Sequence, residues 1–135
     1  MKQRQFRLNS EIYSLSVNGK MHEVRDSWVG ESLLYVLRER FNLPGTKGAC
    51  EQGECGSCTV IIDGQAVCSC LVMAATAIDS DIRTVESISL DGTLTEVQDA
   101  FVTEGGVQCG FCTPGLVVAI EHLLSQNPDP SEIEV

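Results

Sequence analysis

The sequence predicts an α+β chain: a small mixed β-sheet with one helix packed across it, then a helical C-terminal piece. Three observations carry that reading. Residues 12–17 alternate, with Ile12, Ser14 and Ser16 on one face and Tyr13, Leu15 and Val17 on the other, before the hairpin dipeptide Asn18-Gly19. Leu33, Leu34, Leu37 and Phe41 recur at helical spacing with charged Arg38, Glu39 and Arg40 between them. Beyond Ala75 the helical period returns, in Leu94, Val97 and Phe101 and again in Leu116, Ile120, Leu123 and Leu124.

Each element has its punctuation. Met21 to Val24 is the returning strand of the first hairpin, and Asn42 to Pro44 closes the first helix. Gly45 to Gly56 is a glycine-punctuated loop. A second hairpin follows, Thr59 to Ile62 and Gln65 to Ser69 across the turn Asp63-Gly64. Asp81 to Thr93 reads as a short strand and a connector, and Gly105-Gly106 ends the next helix. Thr113-Pro114 has the order of an N-cap followed by a first-turn proline. Asn127 to Pro130 stops that helix, and Ser131-Glu132-Ile133-Glu134 has the pattern of a capping box, so a further helix is expected to begin there.

Composition narrows the function classes. Hydrophobic residues make up 43% and charged residues 21%, enough for a packed core. A net charge of −10 argues against nucleic acid and against anionic membrane surfaces, which both demand a basic face. No apolar run approaches the roughly 20 residues that span a bilayer. Met1 to Gln5 is basic but leads into no apolar stretch, so a secretory signal is not expected and a soluble, cytoplasmic chain is.

Seven cysteines in so short a chain are the outlier. Cys50, Cys55, Cys58, Cys68 and Cys70 cluster, and Cys109 and Cys112 form a separate pair. Clustered cysteines without a secretory signal point to metal rather than disulfides. Cys50-x4-Cys55-x2-Cys58 with a distant fourth cysteine is the spacing of plant-type [2Fe-2S] ligation, three thiolates from one tight loop and one reaching in. Structural zinc sites more often combine two tight Cys pairs on separate knuckles. Gly48, Gly53 and Gly56 let the loop wrap closely and bring backbone N–H groups near the sulfurs. Cys68 and Cys70, two apart on an expected strand, face the same way, so geometry leaves open which is the fourth ligand.

The run Gly48-Ala49-Cys50-Glu51-Gln52-Gly53-Glu54-Cys55-Gly56-Ser57-Cys58-Thr59-Val60, with Ser69-Cys70-Leu71, resembles the iron–sulfur subunit of the xanthine dehydrogenase and molybdenum hydroxylase family. Gln108-Cys109-Gly110-Phe111-Cys112-Thr113-Pro114-Gly115 is similar to that family's second motif, which simple ferredoxins lack. The resemblance implies a β-grasp, plant-type ferredoxin domain over residues 1–82 and a helical-bundle [2Fe-2S] domain, here incomplete and expected to be truncated, over residues 83–135. It also implies that Cys50, Cys55, Cys58 and Cys70 hold the first cluster, with Cys68 a bystander, and that Gln108 lies near the pterin. The implied partners are a molybdopterin-containing large subunit and an FAD subunit, toward which electrons pass singly. The family's second cluster takes two further cysteines from a C-R-C-T-G segment. No such segment occurs through Val135, so Cys109 and Cys112 are expected to supply only two ligands, and the helices around them to lack a metal clamp and a packing partner.

Two other readings compete. A free-standing ferredoxin-like carrier with one cluster has no use for Cys109 to Gly115, and a zinc-bound interaction module suits the spacing less well. His22 and His122 stand far apart in sequence and outside the cysteine motifs, so they read as ordinary core or surface histidines rather than Rieske ligands. Trp28 and Phe111 read as core, and Lys47 as a solvated lysine beside the loop. No nucleophile–base set, phosphate loop or catalytic carboxylate pair is present, and Glu51 and Glu54 are hydrophilic loop residues.

Overall fold

The computed structural model describes residues 11–89 and 91–135; the basic run at residues 1–5 lies outside them. Strands β1 (Glu11–Val17) and β2 (Lys20–Ser27) form an antiparallel hairpin with Leu15 opposite His22 and Val17 opposite Lys20. Asn18 and Gly19 both take positive φ, 54° and 73°, as a two-residue turn matched to the strand twist requires. Strands β3 (Thr59–Ile62) and β4 (Gln65–Cys68) repeat the device at Asp63-Gly64. Strand β5 (Asp81–Arg83) then lies between the hairpins, parallel to β1 and antiparallel to β3, giving the order β2-β1-β5-β3-β4. This mixed sheet with few helices is an α+β, ferredoxin-like fold.

Across the sheet lies α1 (Leu33–Tyr35), capped by the Ser32 hydroxyl, which accepts the Tyr35 N–H at 3.2 Å. The expected regular helix does not continue. Residues Val36–Arg40 widen into a π-helical turn, with Phe41 N–H on the Val36 carbonyl at 3.0 Å. That turn puts Val36 as well as Leu37 against Leu15, Val17, Val24, Val60 and Ile82, all essentially solvent-free, while Phe41 packs at the margin beside His22. The chain leaves it at Asn42 with φ 54°. Where the strand and helix ends meet, the Arg40 guanidinium grips the Glu31 carboxylate with two bonds, of 2.5 and 2.8 Å, and donates to the carbonyls of Arg25 and Asp26.

The C-terminal piece holds α2 (Glu96–Thr103) and α3 (Thr113–Gln126). Thr95 caps α2 with a complete capping box to Gln98, so Leu94 falls outside the helix and is exposed. On α3 the cap is Cys112, without a side-chain bond, and Thr113 is already helical, one residue from the expected start. The expectation that these helices lack a packing partner is wrong. Helix α3 packs on β3 and β4, burying Val117 and Val118, and α2 packs on α3 through the buried Val97. Alternation along β3 explains how one strand serves two layers: Val60 enters the main core, while Ile61, on the other face, borders a cleft of about 390 Å³ with Val118, Glu121 and His122. The last expected helix is only a turn, in which the Glu134 carboxylate accepts the Ser131 N–H at 2.9 Å.

Candidate metal centre

The loop from Gly45 to Cys58 is pinned at both ends. Arg38, on the π-helical turn, donates to the Pro44 and Thr46 carbonyls at 2.9 and 2.7 Å, and Lys47 N–H bonds the Ser57 carbonyl at 3.1 Å. Lys47 is not merely solvated: its ammonium bonds the Pro44 carbonyl at 2.7 Å. Between these anchors Glu51, Gly53 and Gly56 take positive φ, which curls the backbone back on itself. The curl aims N–H groups inward. Gln52 and Cys55 each donate to the Cys50 sulfur at 3.4 Å. Those two donors, with the Glu54 N–H, bring the Cys50 thiol down to about 6, so the loop stabilises negative charge on sulfur.

Cys58 immediately precedes β3 and is buried. Its carbonyl accepts the Ser69 N–H at 3.2 Å and the Ser69 hydroxyl at 2.7 Å, locking the 3₁₀ turn Ser69–Leu71 against the strand. Just after that turn, Leu33 N–H bonds the Val72 carbonyl and Ala74 N–H the Glu31 carbonyl, which ties it to the core helix. Cys70 lies in that locked turn, next to the Ser69 that bonds the Cys58 carbonyl. Burial first, and the Cys58 thiol second, push Cys70 up to about 11.

The expectation that Cys68 and Cys70 share a strand is corrected. Cys68 is the last residue of β4, whereas Cys70 is in the turn beyond it. Cys68 reaches back to the cysteine loop, where the Gly53 carbonyl accepts its thiol at 3.7 Å. Leu71 covers Gly53 so closely that a Cβ there would lie 2.3 Å from its methyl.

Cys55 is tied to Cys50 through its N–H, and the turn that bears Cys70 is tied to Cys58 through Ser69. Among the described residues no group of three or more His, Cys, Asp or Glu is gathered as for a single ion. An N–H-rich loop with three cysteines, and a fourth on a turn fastened to its end, suits two irons sharing four thiolates, so the donor set fits a [2Fe-2S] cluster better than one tetrahedral zinc.

The second motif is arranged otherwise. Cys109 and Cys112 are both exposed on the loop before α3, flanked by exposed Gln108 and Phe111, and they offer two thiols only. Phe111 is 43% and Trp28 58% exposed, so neither is core; the Trp28 ring lies flat over Gly30. His22 stacks on Phe41 at 4.6 Å, and His122 borders the cleft. Sequence reasoning missed one residue. A Cβ on Gly115 would lie 2.3 Å from the Gly56 carbonyl oxygen and 2.9 Å from Ser57 Cα, so the start of α3 rests directly on the first cysteine loop. The only signal was a glycine in a first helical turn, where propensity disfavours it.

Residues 15–87 match the family described as 2Fe-2S iron-sulfur cluster binding domain, and residues 84–135 match the [2Fe-2S] binding domain. The chain is 39% identical over 128 residues to the nicotinate dehydrogenase small FeS subunit of Eubacterium barkeri, covering 95% of this chain and 81% of that one. It is 44% identical over 121 residues to the nicotine 6-hydroxylase small subunit of Paenarthrobacter nicotinovorans, covering 90% and 72%. In solved structures it resembles quinoline 2-oxidoreductase from Pseudomonas putida 86, with a TM-score of 0.87 at 41% identity over 92% of this chain and 76% of that one. Aldehyde oxidoreductase from Desulfovibrio gigas gives 0.83 at 38%, covering 92% of this chain and 14% of a far longer one.

Proposed function

This chain belongs to the family of small iron–sulfur subunits found in nicotinate and xanthine dehydrogenases, and on that premise we propose that it relays single electrons from a molybdopterin-containing large subunit toward an FAD subunit. A bound [2Fe-2S] cluster supplies a site that takes up and releases one electron at a time. Cys50, Cys55, Cys58 and Cys70 are the residues we assign to hold it. The N–H groups of Gln52 and Cys55 then offset the negative charge on the Cys50 sulfur. The pinned loop keeps those donors in place whichever charge is present, so little reorganisation accompanies transfer.

The observation that carries the relay reading is the seat of Gly115 on Gly56 and Ser57. A carrier with one cluster needs no second cysteine motif, still less one whose helix is fitted to the first loop without room for a methyl group. In this reading residues 1–82 form a ferredoxin-like domain, and residues 83–135 form part of a helical bundle that carries Cys109 and Cys112 toward a second cluster. Gln108, exposed beside Cys109, would face the pterin of the large subunit. Among the described residues no helix is long and apolar enough to cross a membrane, and we assign the subunit to the cytoplasm.

Co-expression with the neighbouring reading frames tests this. A molybdopterin-containing chain should co-purify, and reduction of its substrate site should bleach the iron–sulfur absorbance. A chain that purifies alone, and exchanges electrons with a generic reductase while ignoring that partner, would instead be a free carrier.

A further inference from the structure

The tripeptide Pro44-Gly45-Thr46, where the chain enters the cysteine loop, is clasped by two charged side chains from distant elements. Arg38, on the π-helical turn, takes the two outer carbonyls. The amide between them goes to Glu86, whose carboxylate accepts the Gly45 N–H at 2.7 Å. Glu86 lies on the 3₁₀ turn Val85–Ser87 that follows β5. An exposed glutamate ordinarily samples many rotamers, but this one is held at both oxygens. The hydroxyl of buried Thr84 donates to the second oxygen. Asn18, from the first hairpin turn, braces Thr84 in turn: its amide donates to that hydroxyl at 2.9 Å and accepts the Thr84 N–H at 2.8 Å.

The seat is close as well as polar. A Cβ on Gly45 would lie 2.3 Å from a Val85 methyl and 2.7 Å from the Glu86 carboxylate. At the far end of the same loop, Gly56 and Ser57 meet Gly115. Both ends of the ligand loop thus rest on the segment after β5, and Lys47 N–H on the Ser57 carbonyl closes the loop between them.

We propose that Glu86 is a positioning residue for the first cluster: by holding the Gly45 N–H it fixes the entry of the cysteine loop, and so the N–H donors of Gln52 and Cys55 that tune the reduction potential. The inference rests on the assignment of Cys50, Cys55, Cys58 and Cys70 to one cluster. It makes residues 84–87, where the two matched domains overlap, part of the redox centre's support. N–H groups held near sulfur stabilise an added electron, so a loop that drifts lowers the potential. Losing the Glu86 charge acts the other way, since a nearby anion disfavours an added electron. Variants of equal charge separate the two effects.

The whole chain is reconstituted anaerobically with ferrous iron and sulfide, as parent, Glu86→Gln, Glu86→Ala and Asp63→Ala. Glutamine keeps an oxygen for the Gly45 N–H and alanine does not, while both lack the charge. Asp63→Ala removes a similar carboxylate clasp, on the Asp81 N–H at 2.8 Å, at the end of β3 away from Cys58. In redox titrations followed by electron paramagnetic resonance, Glu86→Ala should titrate at a lower potential than Glu86→Gln, with altered g values. It should also lose iron to a chelator about fivefold faster, the factor set by one hydrogen bond of ordinary worth. Asp63→Ala should melt earlier yet keep the parent's potential. Equal potentials in the two Glu86 variants overturn the proposal, and so does an equal downward shift in Asp63→Ala. Should Glu86→Ala not load iron, Glu86→Asp is compared with the parent at equal charge, because the shorter side chain cannot span Thr84 and Gly45 together; an unchanged potential there overturns it equally. Full iron in a Cys50→Ala variant would instead sink the underlying ligand assignment.

Discussion

Gly115 has no side chain for a geometric reason. Its neighbours are the backbone oxygen of Gly56 and the Cα of Ser57, which cannot rotate away as a flexible side chain would. Gly115→Ala should therefore push α3 off the loop or strain it, costing about 1–3 kcal/mol, the usual range for overpacking. Thermal unfolding followed by circular dichroism checks this, and a melting temperature equal to the parent's would refute the close seat. An Ala substitution at Gly64, where nothing lies within 4 Å of the added Cβ, separates the two effects, since its cost comes only from the positive φ of 79°. Cysteine spacing made the ligand loop legible, because ligation demands sulfurs at fixed intervals. Gly115 was not legible, because close approach leaves no periodicity behind.

Among the elements, the clamp between Glu31 and Arg40 ties the connection between β2 and α1 to the end of the π-helical turn. Glu31 is only 6% exposed and Arg40 27%, so the pair is shielded from screening. Arg40 above all, and the Ser27 hydroxyl after it, hold the Glu31 carboxyl below its ordinary 4.5 despite its burial. A carboxylate with a depressed folded value stabilises the fold fully above pH 4.5, and that contribution is lost as pH falls through the folded value. Glu31→Gln should thus lower stability at pH 7 by about 3 kcal/mol, as expected when one partner of a buried pair is removed. It should also flatten the acid limb of the stability curve; denaturant titrations at pH 7 and pH 3.5 measure both. Both hairpins could be read from Asn18-Gly19 and Asp63-Gly64, since those turns need positive φ and few residues tolerate it. The π-helical turn could not, because Leu33, Leu37 and Phe41 suit a regular helix equally, and tertiary packing of Val36 decided between them.

For the whole molecule the decisive quantity is iron. Five of the seven cysteines stand on the first loop and on the segment fastened to it, and Cys109 and Cys112 are exposed on another loop. These 135 residues alone should bind about two iron and two sulfide atoms, with one resonance signal on reduction. Two signals would mean that Cys109 and Cys112 recruit ligands from a second copy or another chain. The α+β class and the two cysteine motifs followed from the sequence. The docking of α3 on the back of β3 did not, because Ile61 and Val60 are both apolar, and alternation alone does not say that both faces are covered.

The central place of β5 has a consequence for biosynthesis. Its three residues join β1 to β3, yet they are translated after both hairpins and after every cysteine of the first loop. Until Arg83 has cleared the ribosome, the two ribbons are separate and β1 and β3 each present an open edge. The thiols are thus all available while the sheet beneath them is still unjoined. A nascent chain stalled short of residue 81 offers iron delivery an open loop, and completion of β5 closes the floor under it.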